Sequence, residues 1–370
     1  ISKSSFELSF SQTAEEAKKV LLTGHTGFKG SWLALWLNRL GAEVCGFSLP
    51  GTDNTRHFEL IRPKIRSEEG DVRDLERLKR VFGEFQPEIV FHLAAQPLVL
   101  RSYADPAGTF AVNVGGSVNV LEAVRATESV RAVVAVSSDK CYENREWERG
   151  YRETDPMGGY DPYSASKGCM ELVVSSYRRS FFHPAEYGKS HRVLLASGRA
   201  GNAIGGGDWS ENRLVPDLAR AAAEDRVEEI QSPNATRPWQ HVLDPLSGYL
   251  LLGEKLLAGE VQAADAWNFG PEDDRPLTVT QLAEALALQW DKIRIRPKDK
   301  QTPHEAHRLR LDCSKAVRFL EWHSVWEPEE TFRRTAQWYR AFYERGEVRT
   351  EEDLLAYFES AKRKGLKWIG

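Results

Sequence analysis

Cysteine is scarce in this chain, with four in 370 residues: Cys45, Cys141, Cys169 and Cys313. They lie far apart, with neither the paired CxxC spacing of a zinc site nor the density of a disulfide-stapled secreted domain. That usage fits a reducing cytoplasm. Long apolar runs are missing too. The richest stretch, 248–257, is interrupted by Glu254 and Lys255 and falls short of the ~18 residues of a membrane helix. An excess of either charge is absent: 50 Lys and Arg against 54 Asp and Glu leave −4, which gives phosphate polymers no global attraction. Neither nucleic acid nor membrane is therefore expected as a partner. The nine histidines form no HxxxH pattern and no cluster at ligand spacing, so no metal is expected. The first 17 residues are polar without a secretion-signal layout, and no internal repeat or low-complexity linker follows.

What the chain does have is regular alternation. Its 370 residues exceed one ordinary domain of about 150, so one large domain or two lobes is expected. Short apolar runs at 20–23, 43–47, 89–93, 132–137 and 192–196 read as strands, and 66–70 is expected as a further one between the second and the fourth. Between them, helical spacing appears at 32–40, 75–85, 113–127 and 162–181. Such alternation requires parallel strands with right-handed crossovers and helices on both faces. The expected fold is therefore α/β, a doubly wound parallel sheet of the Rossmann type. After Arg199 the alternation weakens into a glycine-rich segment, with helices again at 215–225, 245–257, 278–290, 328–345 and 351–364 and a strand at 266–269. The expected organisation is a dinucleotide-binding domain over 15–198 with a return near 242–272. A smaller, interleaved substrate-binding lobe takes 199–241 and 273–370.

The motifs sit where such a sheet holds ligands. Gly24-His25-Thr26-Gly27-Phe28-Lys29-Gly30 joins the first strand to the first helix, the position of a phosphate-binding turn. Gly24 permits the tight turn, Gly27 lets backbone approach a pyrophosphate, and Gly30 lets helix pack on strand. The second strand ends in Gly46-Phe47-Ser48-Leu49 without the carboxylate that selects NAD, so this position does not separate NAD from NADP. Asp71, followed by Val72, stands ready either to accept from an adenine amino group or to cap the helix that starts at Leu75. Tyr163 and Lys167 lie four apart in one helix and share a face. An ammonium close to a phenol favours the phenolate, a usable base near neutral pH. Ser137, Ser138, Asp139 and Lys140 mark the C-terminal end of the fifth strand.

Together, the glycine turn, Asn113, Ser138 and the Tyr163/Lys167 pair resemble the extended short-chain dehydrogenase/reductase family over nearly the whole chain. Within it, five segments are similar to the sugar-nucleotide 4,6-dehydratases. These are the turn through Trp32, His92-Leu93-Ala94-Ala95-Gln96-Pro97, Ser138-Asp139-Lys140, Gly205-Gly206-Gly207-Asp208-Trp209 and Arg237-Pro238-Trp239-Gln240-His241. Asp139-Lys140 stands where many dTDP-glucose and GDP-mannose enzymes have Asp-Glu, which points to CDP-glucose as substrate.

The resemblance implies bound NAD, held by Gly24, Thr26, Gly27, Phe28, Lys29, Gly30, Asp71, Val72, Leu93, Ala94, Ala95, Asn113, Tyr163 and Lys167. It implies catalysis by Tyr163 as base, Lys167 as tuning cation, Ser138 as hydrogen-bonding hydroxyl, Asp139 as acid and Lys140 at the second elimination position. Gln96, Arg199, Asn202, Asp208, Trp209, Arg237 and Arg308 would meet the nucleotide sugar, the guanidinium groups because they match phosphate oxygens. A homodimer through the Asn113 and Tyr163 helices and a role in deoxysugar synthesis for surface polysaccharide complete what it implies. Two other readings use the same residues: a dehydratase or 4-epimerase for another nucleotide hexose, and a non-catalytic dinucleotide sensor on the same fold.

Overall fold

Apolar residues at every position of 20–22 leave the first strand no face for water, so it must lie inside a covered sheet. In a computed structural model, which describes residues 6, 10, 17–51, 55–230, 232–272, 277–298 and 309–369, this is what it does. Strands β1 (Lys19–Thr23), β2 (Glu43–Ser48), β3 (Arg66–Glu69), β4 (Ile89–His92), β5 (Ala132–Val136), β6 (Leu194–Ala200) and β11 (Ala266–Phe269) form one sheet. Its order is β11-β6-β5-β4-β1-β2-β3, and every pairing is parallel. The order reverses between β1 and β4, which opens a crevice at their C-terminal ends.

Alternate residues feed two cores. Val20, Leu22, Ile89, Phe91 and Val134 pack with Trp32, Leu33 and Trp36 of helix α1 (Phe28–Arg39). Leu21, Val90, Val133 and Leu195 face the other way. They meet α3 (Leu75–Phe85), α6 (Gly116–Arg125) and α7 (Pro162–Ser180), while the short α2 (Arg56–Ile61) and α4 (Val99–Ala104) lie in the connections. The helix expected from 113 starts earlier. Pro106 opens α5 (Pro106–Phe110), Asp105 caps it by accepting from the Gly108 N–H, and a π-turn, Ala111–Gly115, leads into α6. β6 also outruns its expected end at 196, because Ser197 and Arg199, polar in sequence, are buried and paired.

The second lobe has its own core of Trp209, Leu218, Leu282, Trp290, Phe332 and Trp338. It is built from α8 (Leu214–Ala223), α10 (Val279–Ala287), α12 (Pro328–Arg345) and three strand pairs. These are β7 (Ala203–Ile204) with β10 (Gln240–His241), β9 (Thr236–Arg237) with β12 (Leu277–Thr278), and β8 (Val227–Ile230) with β13 (Arg294–Pro297).

The chain end departs from the expected division. α11 (Ser314–Leu320), α13 (Thr350–Arg363) and the final turn (Lys367–Ile369) contribute Leu320, Tyr357 and Trp368 to the sheet's core beside α1 and α9 (Leu243–Leu257), not to the second lobe. Trp36 packs on Tyr357 and Trp368, and the Tyr357 hydroxyl donates to Asp244 Oδ1 at 2.9 Å. Among the described residues, no helix is long and apolar enough to cross a membrane.

Candidate active site

The turn after β1 is shaped by what its glycines exclude. Gly24 has φ +76°, and a Cβ on it would meet the Ala94 nitrogen at 2.8 Å. A Cβ on Gly30 would stand 2.0 Å from the Gly24 carbonyl oxygen, so the helix can approach the turn only without one. Gly27 is the N-cap of α1 and has no side chain to satisfy the first N–H groups, which are left to face a ligand. Thr23 Oγ1 accepts from both the Leu93 and Ala94 N–H groups at 3.2 Å, which fixes the ends of β1 and β4 side by side.

From this turn a cavity of about 1180 Å³ runs along the C-terminal ends of the strands into the second lobe. Gly24, Thr26, Gly27, Phe28, Lys29, Gly30, Asp71, Val72, Leu93, Ala94 and Ala95 line one end. Asp71 both faces the cavity and pairs with Arg73 at 2.6 Å, which holds its carboxyl below the usual range. A free N-cap, a glycine cradle and a long groove fit a dinucleotide. Gln96, Ser138, Asp139, Lys140, Tyr163 and Lys167 line the middle, and Asn202, Asp208 and Arg237 the far side.

The middle is where burial shapes the chemistry. After β5 the chain makes a short turn, Asp139–Cys141, capped by Ser138 Oγ, which accepts from the Lys140 N–H at 3.2 Å. Ser138 Oγ also donates to Asp139 Oδ1 at 2.9 Å, whereas Asp139 Oδ2 is buried without a partner. Burial raises the Asp139 carboxyl above its ordinary range against the pull of Lys140, the Ser138 hydroxyl, Lys29 and Arg237. Lys167 is drawn down to about 8 by burial, with Glu171 and Cys141 opposing. The buried Lys29 also falls to about 8, chiefly through burial and then Arg213.

Tyr163 departs from the simple expectation. Burial pushes its hydroxyl up to about 12, against the Ser138 hydrogen bond and the Arg213 charge. The phenolate therefore needs more positive charge than Lys167 brings alone.

Several expected ligand contacts lie elsewhere. Arg199, expected at a diphosphate, is turned into the protein: it pairs with Glu171 at 2.8 Å and donates to the Tyr142 hydroxyl at 2.7 Å. Trp209 is not on the cavity wall but packs edge-on against Trp338 and Phe342. Asn113 is buried as a connector. Its Oδ1 accepts from the Gln96 N–H at 2.8 Å, and its Nδ2 donates to the Gln96 carbonyl at 3.1 Å and to Ser166 Oγ at 2.8 Å. Arg308 lies outside the described residues.

Arg213 was not expected. It precedes α8, lines the cavity, and is held by Asp208 at 3.2 Å. A lone arginine just past the glycine-rich segment and at a helix start was the available signal. Its neighbour loop is pinned by the buried His57, whose ring nitrogens meet Ser31 Oγ at 2.7 Å and Thr350 Oγ1 at 2.8 Å. A Cβ on Gly207 would strike that ring at 2.2 Å. Among the described residues, no group of His, Cys, Asp or Glu is placed to hold a metal ion.

A family profile described as GDP-mannose 4,6-dehydratase matches residues 21–335, most of the chain and all of the cavity's catalytic wall. The chain belongs to the GDP-mannose 4,6-dehydratase family of extended short-chain dehydrogenases/reductases. Within that family it is 49% identical over 354 residues to CDP-glucose 4,6-dehydratase of Salmonella typhimurium, which covers 94% of this chain and 98% of the relative. It is 26% identical to dTDP-glucose 4,6-dehydratase of Neisseria gonorrhoeae, over 88% of this chain and 96% of the relative. Among solved structures, UDP-glucose 4-epimerase of Thermus thermophilus in complex with NAD superposes with a TM-score of 0.74 at 26% identity, covering 87% of this chain and 99% of the other. The dTDP-glucose 4,6-dehydratase of Bacillus anthracis, in complex with NAD, gives 0.72 at 21% identity, over 89% and 98%, and shares the fold.

Proposed function

We propose that this chain is a hydro-lyase that converts CDP-glucose to CDP-4-keto-6-deoxyglucose with bound NAD. The observation that carries the reading is Asp139: a buried carboxyl held toward its protonated form, with one oxygen free, on the wall that also carries Ser138, Lys140, Tyr163 and Lys167. A 4-epimerase needs the Tyr163 end of that wall and has no use for an acid beside it.

The residues divide the work. Tyr163 takes the proton of the sugar 4-hydroxyl, with Ser138 Oγ as its hydrogen-bond partner and the Lys167 ammonium one turn further along α7. Gly24, Gly27 and Gly30 would hold NAD, which when bound would supply the hydride acceptor for C4 and the donor for C6. A carbonyl at C4 acidifies C5. Lys140, entering the step as the free amine, takes that proton while Asp139 gives its own to the 6-hydroxyl, which leaves as water. Lys140 returns a proton to C5 as C6 is reduced, so one water is lost without net redox change. Arg213, Arg237 and Asn202 face the far cavity, where a diphosphate would lie.

The same reading places the chain in the cytoplasm, where its free cysteines stay reduced, as a step toward deoxysugars of surface polysaccharide. It also makes it a homodimer through α4 to α7, which carry the exposed Leu100, Tyr103, Phe110 and Leu172. Light scattering on the purified protein tests the dimer.

The reaction is tested by incubating the protein with NAD and, separately, CDP-, UDP-, dTDP- and GDP-hexoses, following product mass and net reduced cofactor. Loss of one water from CDP-glucose with no reduced cofactor accumulating is expected. Isomerisation without mass change would replace the reading with an epimerase, and no conversion of any hexose would favour the sensor.

A further inference from the structure

Behind the catalytic wall lies a charged pair that takes no direct part in the proposed reaction. Glu171 follows Lys167 by one turn of α7, and Arg199 reaches it from β6; both side chains are almost wholly buried, 3% and 5% exposed. An ion pair so deep is expensive to bury unless its remaining hydrogen-bonding capacity is filled. Here most of it is. Glu171 Oε1 accepts from the Ser137 hydroxyl, and Oε2 accepts from Ser197 Oγ and Arg199 Nη2, both at 2.8 Å. Arg199 Nη1 donates to the Tyr142 hydroxyl at 2.7 Å and the Glu153 carbonyl at 3.1 Å.

The helix that carries Glu171 holds the end of β5 at two points. Lys167 Nζ donates to the Val136 carbonyl at 3.4 Å, and Glu171 holds the hydroxyl of the next residue, Ser137. Ser138 and Asp139 come immediately after. One turn of α7 thus grips the end of β5 on either side of a single peptide. We propose that Glu171 and Arg199 are positioning residues that fix the Ser138–Asp139 strand end and keep Lys167 charged, Arg199 acting by keeping Glu171 ionised.

The electrostatic half follows from the groups that face Lys167. Tyr163 and Glu171 precede and follow it on its own helix, Cys141 faces it from the turn after β5, Lys29 from α1 and His92 from β4. His92 is kept neutral by burial and Lys29 is a cation, so Glu171 is the one firmly ionised acid among them. Burial works to raise the Glu171 carboxyl, and Arg199, helped by Ser137 and Ser197, overrides it. Without Arg199 that acid would take up a proton, and Lys167 would lose its counter-charge. Either change removes negative charge beside the ammonium and lets it deprotonate at lower pH.

This inference rests on the dehydratase reading only for its kinetic readout, so two measurements are paired. The alkaline limb of kcat against pH reports Lys167 during turnover. Competitive acetic anhydride labelling, with Lys167 followed by peptide mass, reports the same amine without substrate. In Glu171→Gln and in Arg199→Gln both should move to lower pH by roughly one unit. Arg199→Lys, which keeps the charge but not the fork to Tyr142 and Glu153, should restore both to within a few tenths of a unit. A purely structural pair would lower kcat at every pH, in the Lys variant as in the Gln variant, and leave both titrations in place; that result overturns the proposal. Either Gln variant decides the matter alone. If neither folds, Ser197→Ala, which keeps both charges, must leave the titration unmoved, and a shift there overturns it. Absence of turnover with any hexose beside a shifted amine titration would refute the dehydratase reading and spare this one.

Discussion

Replacing Asp139 with Asn separates the two halves of the proposed reaction. The substitution changes little in the fold: Oδ1 keeps the Ser138 hydrogen bond, and the amide nitrogen takes the place of an oxygen that has no partner. Burial raises the wild-type carboxyl, and the amide that replaces it carries no charge at any pH. Asp139 is one of the groups that raise the Tyr163 hydroxyl, so its removal should ease rather than hinder ionisation of the phenol. What is lost is the proton for the departing 6-hydroxyl. A positioned general acid contributes about 10²–10⁴-fold, or ~2.7–5.4 kcal/mol of barrier. Product formation from CDP-glucose should fall by that factor, while oxidation at C4 should slow by less than about tenfold. Stopped-flow absorbance of reduced nicotinamide, beside quenched-flow product mass, reads both. The variant should accumulate reduced cofactor that the wild type does not. Turnover lost without that accumulation would show that Asp139 acts before or during oxidation and would refute its assignment as the elimination acid.

Tyr163→Phe should abolish turnover while cofactor stays bound, which absorbance of the protein as purified will check; near-normal turnover would refute the base. Gly30→Ala places a methyl 2.0 Å from the Gly24 carbonyl oxygen and under 3 Å from two further backbone atoms. Stability should drop by about 1–3 kcal/mol in urea, and dinucleotide affinity should drop with it. Asp244, fully buried, is pushed up to about 7 by burial against hydrogen bonds from Val325 and Tyr357. Its folded form binds the proton more tightly than the unfolded chain, whose pKa is near 3.8, so its stabilising contribution is full below pH 3.8 and is lost as pH rises toward 7. The loss is on the order of 4 kcal/mol at ~1.36 per unit. Asp244→Asn should flatten the fall in Tm between pH 4 and 7, and an unchanged slope would refute the titration.

Where chemistry depends on spacing within one element, the sequence was enough to find it. The three turn glycines are bound to the strand before and the helix after, and Tyr163 and Lys167 share a helix face at any depth in the protein. Where it depends on what a residue meets across the fold, it was not. Arg199 has the chemistry of a phosphate ligand, and only the return of β6 beside α7 shows that its partner is Glu171, 28 residues earlier. Trp209 reads equally well as a stacking platform or a core residue until Trp338 arrives from the far end of the chain. The two C-terminal helices declare by their amphipathic pattern that they must be covered, but that pattern is the same for either layer. Trp36 and Asp244, which receive Tyr357, belong to elements more than a hundred residues away.

The inward turn of Arg199 reflects a physical constraint on this site. A strand that ends at a ligand cleft must pass from apolar core to polar chemistry within a few residues, and here β5 and β6 do so side by side: Ser137 and Ser138 on one, Ser197 and Arg199 on the other. Without compensation, these polar groups would each cost burial energy. Glu171 answers three of the four from a neighbouring helix, and the fourth, Ser138, is bonded at the cavity wall to Asp139 Oδ1 and the Lys140 N–H. A strand end held this way keeps Ser138 and Asp139 in place before the substrate enters, with Asp139 Oδ2 left without a partner, so the elimination acid meets its sugar without first having to be ordered.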